Sequence, residues 1–160
     1  MTPVHPDILA ALTSGIQSEA ASYVFYLEAS KKTESRDIKE TLEKLAGEEK
    51  THFQILERQY DSLVRSEKWI SAADILKQKG LPEIGEAMTS QHKGLIEQVR
   101  STNSKREILD MALKLEIEAR DLFRSMAEKS QAKEAKETFE QLARFEEGHA
   151  KLISSMIAQL

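Results

Sequence analysis

Six residues of the sequence recur as two copies of one three-residue pattern. In each copy a glutamate is followed, 30 residues later, by the glutamate of a Glu-x-x-His string, and the two copies lie 97 residues apart. The residues are Glu19, Glu49 and His52 in the first copy and Glu116, Glu146 and His149 in the second. Because positions i and i+3 share one face of a helix, each Glu-x-x-His can direct both side chains toward one centre. Four carboxylates and two imidazoles in this register predict a two-metal site inside a helical bundle.

The charge of such a site also indicates metal ions. A glutamate on the inward face of a helix is costly to bury unless it is paired or coordinated. Four ionised carboxylates in one place would repel each other, whereas two divalent cations would balance them. A single Glu-x-x-His is weak evidence, and the alternative is a duplicated bundle with surface ion pairs only. The doubling of the whole pattern favours the metal site.

Four long helices are predicted to carry these residues. The first runs from about Asp7 to Lys32, and the second has apolar residues at helical spacing from Ile38 to Leu63. The third begins at Ser104-x-x-Glu107, which has the form of a capping box. A turn near residues 130–132 leads to the fourth. Further residues match at the 97-residue offset, which indicates a duplicated αα-hairpin.

A longer segment separates the two hairpins. The chain of 160 residues is expected to form one domain, with hairpin 1 at about 7–63, a bridge at about 64–103 and hairpin 2 at about 104–160. In the bridge, Ser71 is predicted to cap a short helix that ends at Gly80. A further helix is predicted to begin at Pro82 and to include apolar residues as far as 99. A crossover of this length allows the hairpins to pack parallel or antiparallel.

Composition excludes several other classes of protein. Apolar residues make up 40% and charged residues 31%, with few glycines and prolines, which is typical of an all-helical protein. The net charge of −4 argues against a nucleic-acid partner. No apolar run reaches the roughly 20 residues of a membrane span. Residues 1–6 lack the features of a signal peptide, so a cytoplasmic location is expected.

The absence of cysteine restricts the kind of metal site. It rules out disulfides, thiolate zinc sites and cysteine-ligated iron–sulfur centres. Any metal must therefore be bound by oxygen and nitrogen, which suits iron, manganese or zinc.

The sequence resembles the rubrerythrin-like branch of the ferritin-like superfamily. Residues 15–29 and 45–52 are similar to the first two helices of such domains, and the resemblance covers both hairpins but not the bridge. It implies an all-α, ferritin-like four-helix bundle of two duplicated αα-hairpins joined by a long, partly helical crossover. It also implies two iron ions, with Glu19 and His52 on one, Glu116 and His149 on the other, and Glu49 and Glu146 as bridges.

The same resemblance implies a non-haem di-iron oxidoreductase that reacts with dioxygen or hydrogen peroxide. Manganese or zinc could occupy the same ligands. An external electron donor and a homo-oligomer, with a dimer favoured, are the expected partners, and neither nucleic acid nor a membrane is expected. Two alternatives stay open: a ferroxidase for iron storage or detoxification in a ferritin-type oligomer, and a non-catalytic metal-binding bundle.

Some residues depart from the family pattern. Rubrerythrins have a further glutamate where this chain has Ala119, and no rubredoxin domain is expected without cysteine. Lys50 stands where bacterioferritin has its haem-ligating methionine. Tyr26 matches a tyrosine that rubrerythrins place near the metals. Glu48, like Glu118 and Glu147, is expected to face solvent, whereas Arg120 is expected to hold a ligand carboxylate in place.

Overall fold

The computed structural model describes residues 6–160, and within them all regular structure is helical. Seven helices follow one another: α1 (Pro6–Lys32), α2 (Arg36–Ser66), α3 (Ala72–Leu76), α4 (Glu86–Ser90), α5 (Lys93–Ser101), α6 (Lys105–Lys129) and α7 (Lys133–Ala158). The two hairpins are α1 with α2 and α6 with α7. This confirms the predicted all-α bundle.

Helix boundaries follow from local sequence where side chains cap the backbone. The Ser104 hydroxyl accepts a hydrogen bond from the Glu107 backbone N–H, as expected for the N-cap of α6. Ser71 caps α3 in the same way through the Asp74 N–H. These serines satisfy backbone donors that the first turn of a helix leaves without partners.

The structure also decides how the hairpins pack. Near the start of α1, Gly15 lies against Phe123, and further along α1, Tyr26 contacts Glu116. Because the partner numbers fall as the α1 numbers rise, α1 and α6 are antiparallel. The bridge must therefore carry the chain from one end of the bundle to the other. It arrives there along α1, where Arg100 pairs with Glu28 at 2.6 Å.

Two predictions about the bridge were wrong. α3 ends at Leu76 rather than at Gly80, which lies in a turn with a φ of +68°. No helix begins at Pro82, whose carbonyl accepts a hydrogen bond from the Gln54 amide on α2. The helical segment that follows is split into α4 and α5, with His92 outside the helical conformation between them. This break lets both short helices follow α1.

Two apolar clusters form the core, one toward each end of the bundle. Leu12, Leu56 and Phe139 belong to the first, and Phe25 and Leu109 belong to the second. The six polar residues of the repeated pattern occur between these clusters along the helices. The helices are thus held at both ends of the site by apolar packing, which fixes the heights of the polar side chains.

Among the described residues no helix has the length and apolar character needed to cross a membrane. Residues 1–5, on which the signal-peptide expectation largely depends, lie outside the described part of the chain. The division into a single domain of residues 1–160 stays a prediction.

Candidate metal centre

The structure brings all six residues of the repeated pattern into one buried layer. Each of the four long helices contributes one glutamate, and α2 and α7 each add a histidine one turn later. The four glutamates are completely buried, and the histidines are nearly so, with His52 4% and His149 6% exposed. Burial of this many ionisable groups is costly unless they are paired or bind metal.

The six side chains form two overlapping groups of possible ligands. We name them the His52 group (Glu19, Glu49, His52 and Glu146) and the His149 group (Glu49, Glu116, Glu146 and His149). In each group the potential ligand atoms lie within 4.8 Å of one another. Two glutamates, Glu49 and Glu146, belong to both groups. This is the arrangement needed for two cations that share two carboxylate bridges.

Both histidines direct Nδ1 into the centre. Nδ1 of His52 lies 3.1 Å from Glu146 Oε1 and 3.7 Å from Glu19 Oε1. Nδ1 of His149 lies 2.7 Å from Glu49 Oε1 and 3.4 Å from oxygens of both Glu116 and Glu146. The two rings are stacked, with centroids 6.2 Å apart and planes 17° from parallel.

The donor set fits a pair of metal ions. Within the described residues, buried atoms that make no hydrogen bond of acceptable geometry concentrate here, close contacts notwithstanding: both oxygens of Glu19 and of Glu49, Oε2 of Glu116 and of Glu146, and Nδ1 of His149. Buried polar atoms are normally hydrogen-bonded, so such a concentration requires an explanation. Metal binding would explain it, because carboxylate oxygen and imidazole nitrogen are ligands that suit iron, manganese and zinc.

Burial opposes the ionisation of three of the carboxyl groups. It raises the pKa of Glu19 well above the usual value, with help from the charge of Glu146. The pKa of Glu49 is raised in the same way by burial and by the charge of Glu19. Burial and the charge of Glu49 raise the pKa of Glu116 to about 9. Burial thus favours the protonated forms of these carboxyls, and any protons they hold must leave when cations bind.

Close polar contacts shift the remaining groups toward their charged forms. Burial acts to raise the pKa of Glu146, but its contacts with Glu116 and both histidines outweigh burial and hold the pKa well below its usual value. For His52 and His149, burial acts to lower the pKa. Contacts with the surrounding carboxylates outweigh burial, so both pKa values are raised.

Two neighbours support the ligands from outside. The Tyr26 hydroxyl donates a hydrogen bond of 2.6 Å to Glu116 Oε1, which places it next to the centre as the sequence suggested. Glu48 was expected to face solvent, and its side chain is 43% exposed, but it also contacts a ligand, which was not expected. Its Oε2 lies 2.7 Å from Nε2 of His149 on the opposite hairpin. Because Glu48 directly precedes Glu49, its side chain is rotated by about 100° around α2 relative to that of Glu49, and it is directed toward α7.

The expectation for Arg120 is wrong. Arg120 does not hold a ligand carboxylate; it pairs with Glu147 at 2.8 Å and with Asp121 at 3.0 Å. Glu118 lies on the surface and pairs with Lys114, as expected of a solvated position.

An open cleft of about 670 Å³ leads from the surface to the His52 side of the centre. Its walls come from α2, α3, α7 and the connection between α2 and α3, and they include Ile55, Trp69, Leu142 and Phe145. The sequence does not predict this cleft because α3 lies in the bridge, whose path the periodic pattern does not define. The cleft is wide enough for small molecules to approach His52.

A family model described as Rubrerythrin matches residues 10–100 and 107–160. The chain belongs to the rubrerythrin family. The match includes most of the bridge, so the expectation that the resemblance leaves out the bridge was wrong. Comparisons with curated proteins and with solved structures found no match. With the geometry above, membership of this family supports a ferritin-like bundle whose carboxylate and histidine groups could hold metal ions.

Proposed function

We propose that this rubrerythrin-family protein is a non-haem di-iron oxidoreductase that reacts with dioxygen or hydrogen peroxide. The observation that carries the proposal is the pair of ligand groups that share Glu49 and Glu146. A bound iron pair would supply two electrons at adjacent positions, as an oxidant of this kind requires. Hydrogen peroxide would take up two electrons and two protons and leave as two water molecules, after which an external donor must return the electrons.

The chain's own residues have three tasks in this proposal. Glu49 and Glu146, which belong to both ligand groups, would hold the two cations together. Both oxygens of Glu49 and Oε2 of Glu146 are buried without a hydrogen bond, so these atoms would be available to the cations. Tyr26 keeps Glu116 in position through its hydrogen bond. The apolar clusters above and below the site exclude water, whereas the cleft beside His52 admits a small oxidant.

Oxidation of the ferrous protein in a stopped-flow instrument tests the proposal. Protein loaded anaerobically with ferrous iron is mixed with dioxygen or with hydrogen peroxide, and ferric iron is followed by absorbance. We expect a fast phase whose amplitude saturates at about two irons per chain. The Glu146→Ala variant should lose this phase because both ligand groups lose a member.

The matched control is Glu118→Ala, which removes an exposed glutamate of α6 that pairs with Lys114. It should oxidise iron as the wild type does. A wild-type protein without any fast phase would favour a non-catalytic metal-binding bundle. The oxidant, the electron donor, the cytoplasmic location and the dimer stay predictions. Gel filtration addresses the last, because a species near dimer size would exclude a storage cage.

A further inference from the structure

The outer nitrogens of the two histidines have different surroundings. Nε2 of His149 lies 2.7 Å from Glu48 Oε2 on the opposite hairpin. An ionised carboxylate can only accept a hydrogen bond, so His149 donates Nε2–H and Glu48 accepts it. With Nε2–H held in this way, Nδ1 is the nitrogen that would bind a cation of the His149 group once any proton on it is released.

Among residues 6–160, no carboxylate contacts the outer nitrogen of His52. Both of its carboxylate contacts, to Glu19 and to Glu146, are made by Nδ1. Its ring packs against Phe145, with centroids 5.1 Å apart. Phe145 is the counterpart of Glu48 in the duplicated hairpin, since it lies 97 residues further along the chain. The duplication has thus diverged at one pair of positions, with a carboxylate beside one histidine and a phenyl ring beside the other.

Both histidines are nearly buried, but they differ in their position relative to the open cleft. The open cleft is lined by His52 and by Phe145, whose side chain is 48% exposed. His149 is absent from the walls of this cleft, although Glu48 borders it. A cation in the His52 group would therefore lie next to the cleft, whereas one in the His149 group would be separated from it by His149 and Glu48.

We propose that Glu48 makes the His149 group the tighter of two unequal cation sites and leaves the His52 group as the exchangeable one. The inference rests on the proposed function in that both groups must bind metal. A carboxylate on the outer nitrogen fixes the ring orientation and makes the inner nitrogen a stronger ligand. Removing such a partner weakens metal binding by about 10- to 100-fold, which sets the size of the expected difference. Glu48 is a positioning residue, because it acts through His149.

Cadmium binding, measured by calorimetry and by cadmium-113 NMR, tests this inference without measuring activity. We expect the wild type to bind one cadmium ion tightly, with one resonance, and a second ion about 10- to 100-fold more weakly, with a second resonance. Glu48→Ala should weaken the tight step by a similar factor and shift the first resonance. Glu48→Gln keeps an acceptor without the charge and should give an intermediate loss. Phe145→Glu should instead tighten the weaker step.

The controls separate failure of this inference from failure of the proposed function. Glu118→Ala should leave both steps unchanged, and circular dichroism shows whether each variant keeps its helices. Two cadmium ions bound with affinities that Glu48→Ala leaves unchanged, or lowers equally, would overturn the inequality while the two-metal site stands. A wild-type protein that binds no cadmium would overturn the metal site and this inference with it.

Discussion

Replacing Tyr26 by Phe tests whether the residues around the centre hold the ligands in place. The Tyr26 side chain is completely buried, and its hydroxyl is the hydrogen-bond donor to Glu116 Oε1 at 2.6 Å. Phenylalanine keeps the ring and its edge-to-face contact with Phe25, but it removes the donor. The substitution therefore leaves a buried carboxyl oxygen without a partner and changes little else.

The expected changes in stability and in metal affinity follow from the loss of this one hydrogen bond. Leaving one buried acceptor unsatisfied costs about 1–3 kcal/mol in the free energy of unfolding. In a chain of this size, each kilocalorie lowers the melting temperature by roughly 2–4 °C, so a decrease of roughly 2–12 °C is expected. Because Glu116 belongs only to the His149 group, the tighter metal-binding step should weaken by about 10- to 100-fold while the other step changes less.

Thermal unfolding by circular dichroism and metal titration by calorimetry measure the two effects. The control is Tyr23→Phe, because Tyr23 is only partly buried on the same helix. Tyr23→Phe should change the melting temperature and the metal affinity by much less. If Tyr26→Phe and Tyr23→Phe behave alike, the hydrogen bond to Glu116 contributes nothing and the positioning role of Tyr26 is refuted.

Two further predictions concern pH and helix stability. Because the pKa of Glu116 is raised from 4.5 to about 9, the stability that its proton gives the metal-free protein is complete below pH 4.5 and is lost as pH rises toward 9. Zinc affinity, measured by chelator competition, should rise over the same range by about tenfold per pH unit for each displaced proton; a flat profile would contradict this. Gly47→Ala should stabilise α2 by roughly 0.5–1 kcal/mol in denaturant unfolding. Gly15→Ala should gain less, because its Cβ would lie 3.1 Å from both Leu56 and Phe123.

The ligand layer could be predicted from the sequence because helical geometry alone fixes it. Glu19 and Glu49 lie at nearly equal distances from the turn at residues 33–35, so an antiparallel hairpin brings them to the same height. Glu116 and Glu146 are placed in the same way by the second turn. Spacing within each hairpin thus determines the site, provided that the polar positions face inward.

The surroundings of the ligands could not be predicted because they depend on contacts between hairpins. Glu48 is on the flank of α2, and only the antiparallel packing of α2 and α7 brings it to His149. The split between α4 and α5 likewise follows from packing on α1, which overrides the helical pattern of the bridge. The antiparallel order itself was undetermined, since a bridge of this length permits either direction.

Anomalous X-ray diffraction from crystals soaked in manganese tests the two-metal site most directly. We predict two anomalous peaks per chain, one in the His52 group and one in the His149 group, roughly 3.5–4 Å apart. Glu49 and Glu146 should each have an oxygen close to both peaks. A single peak in the bundle, or peaks confined to surface carboxylates such as Glu134 and Glu137 at the cleft, would contradict the account.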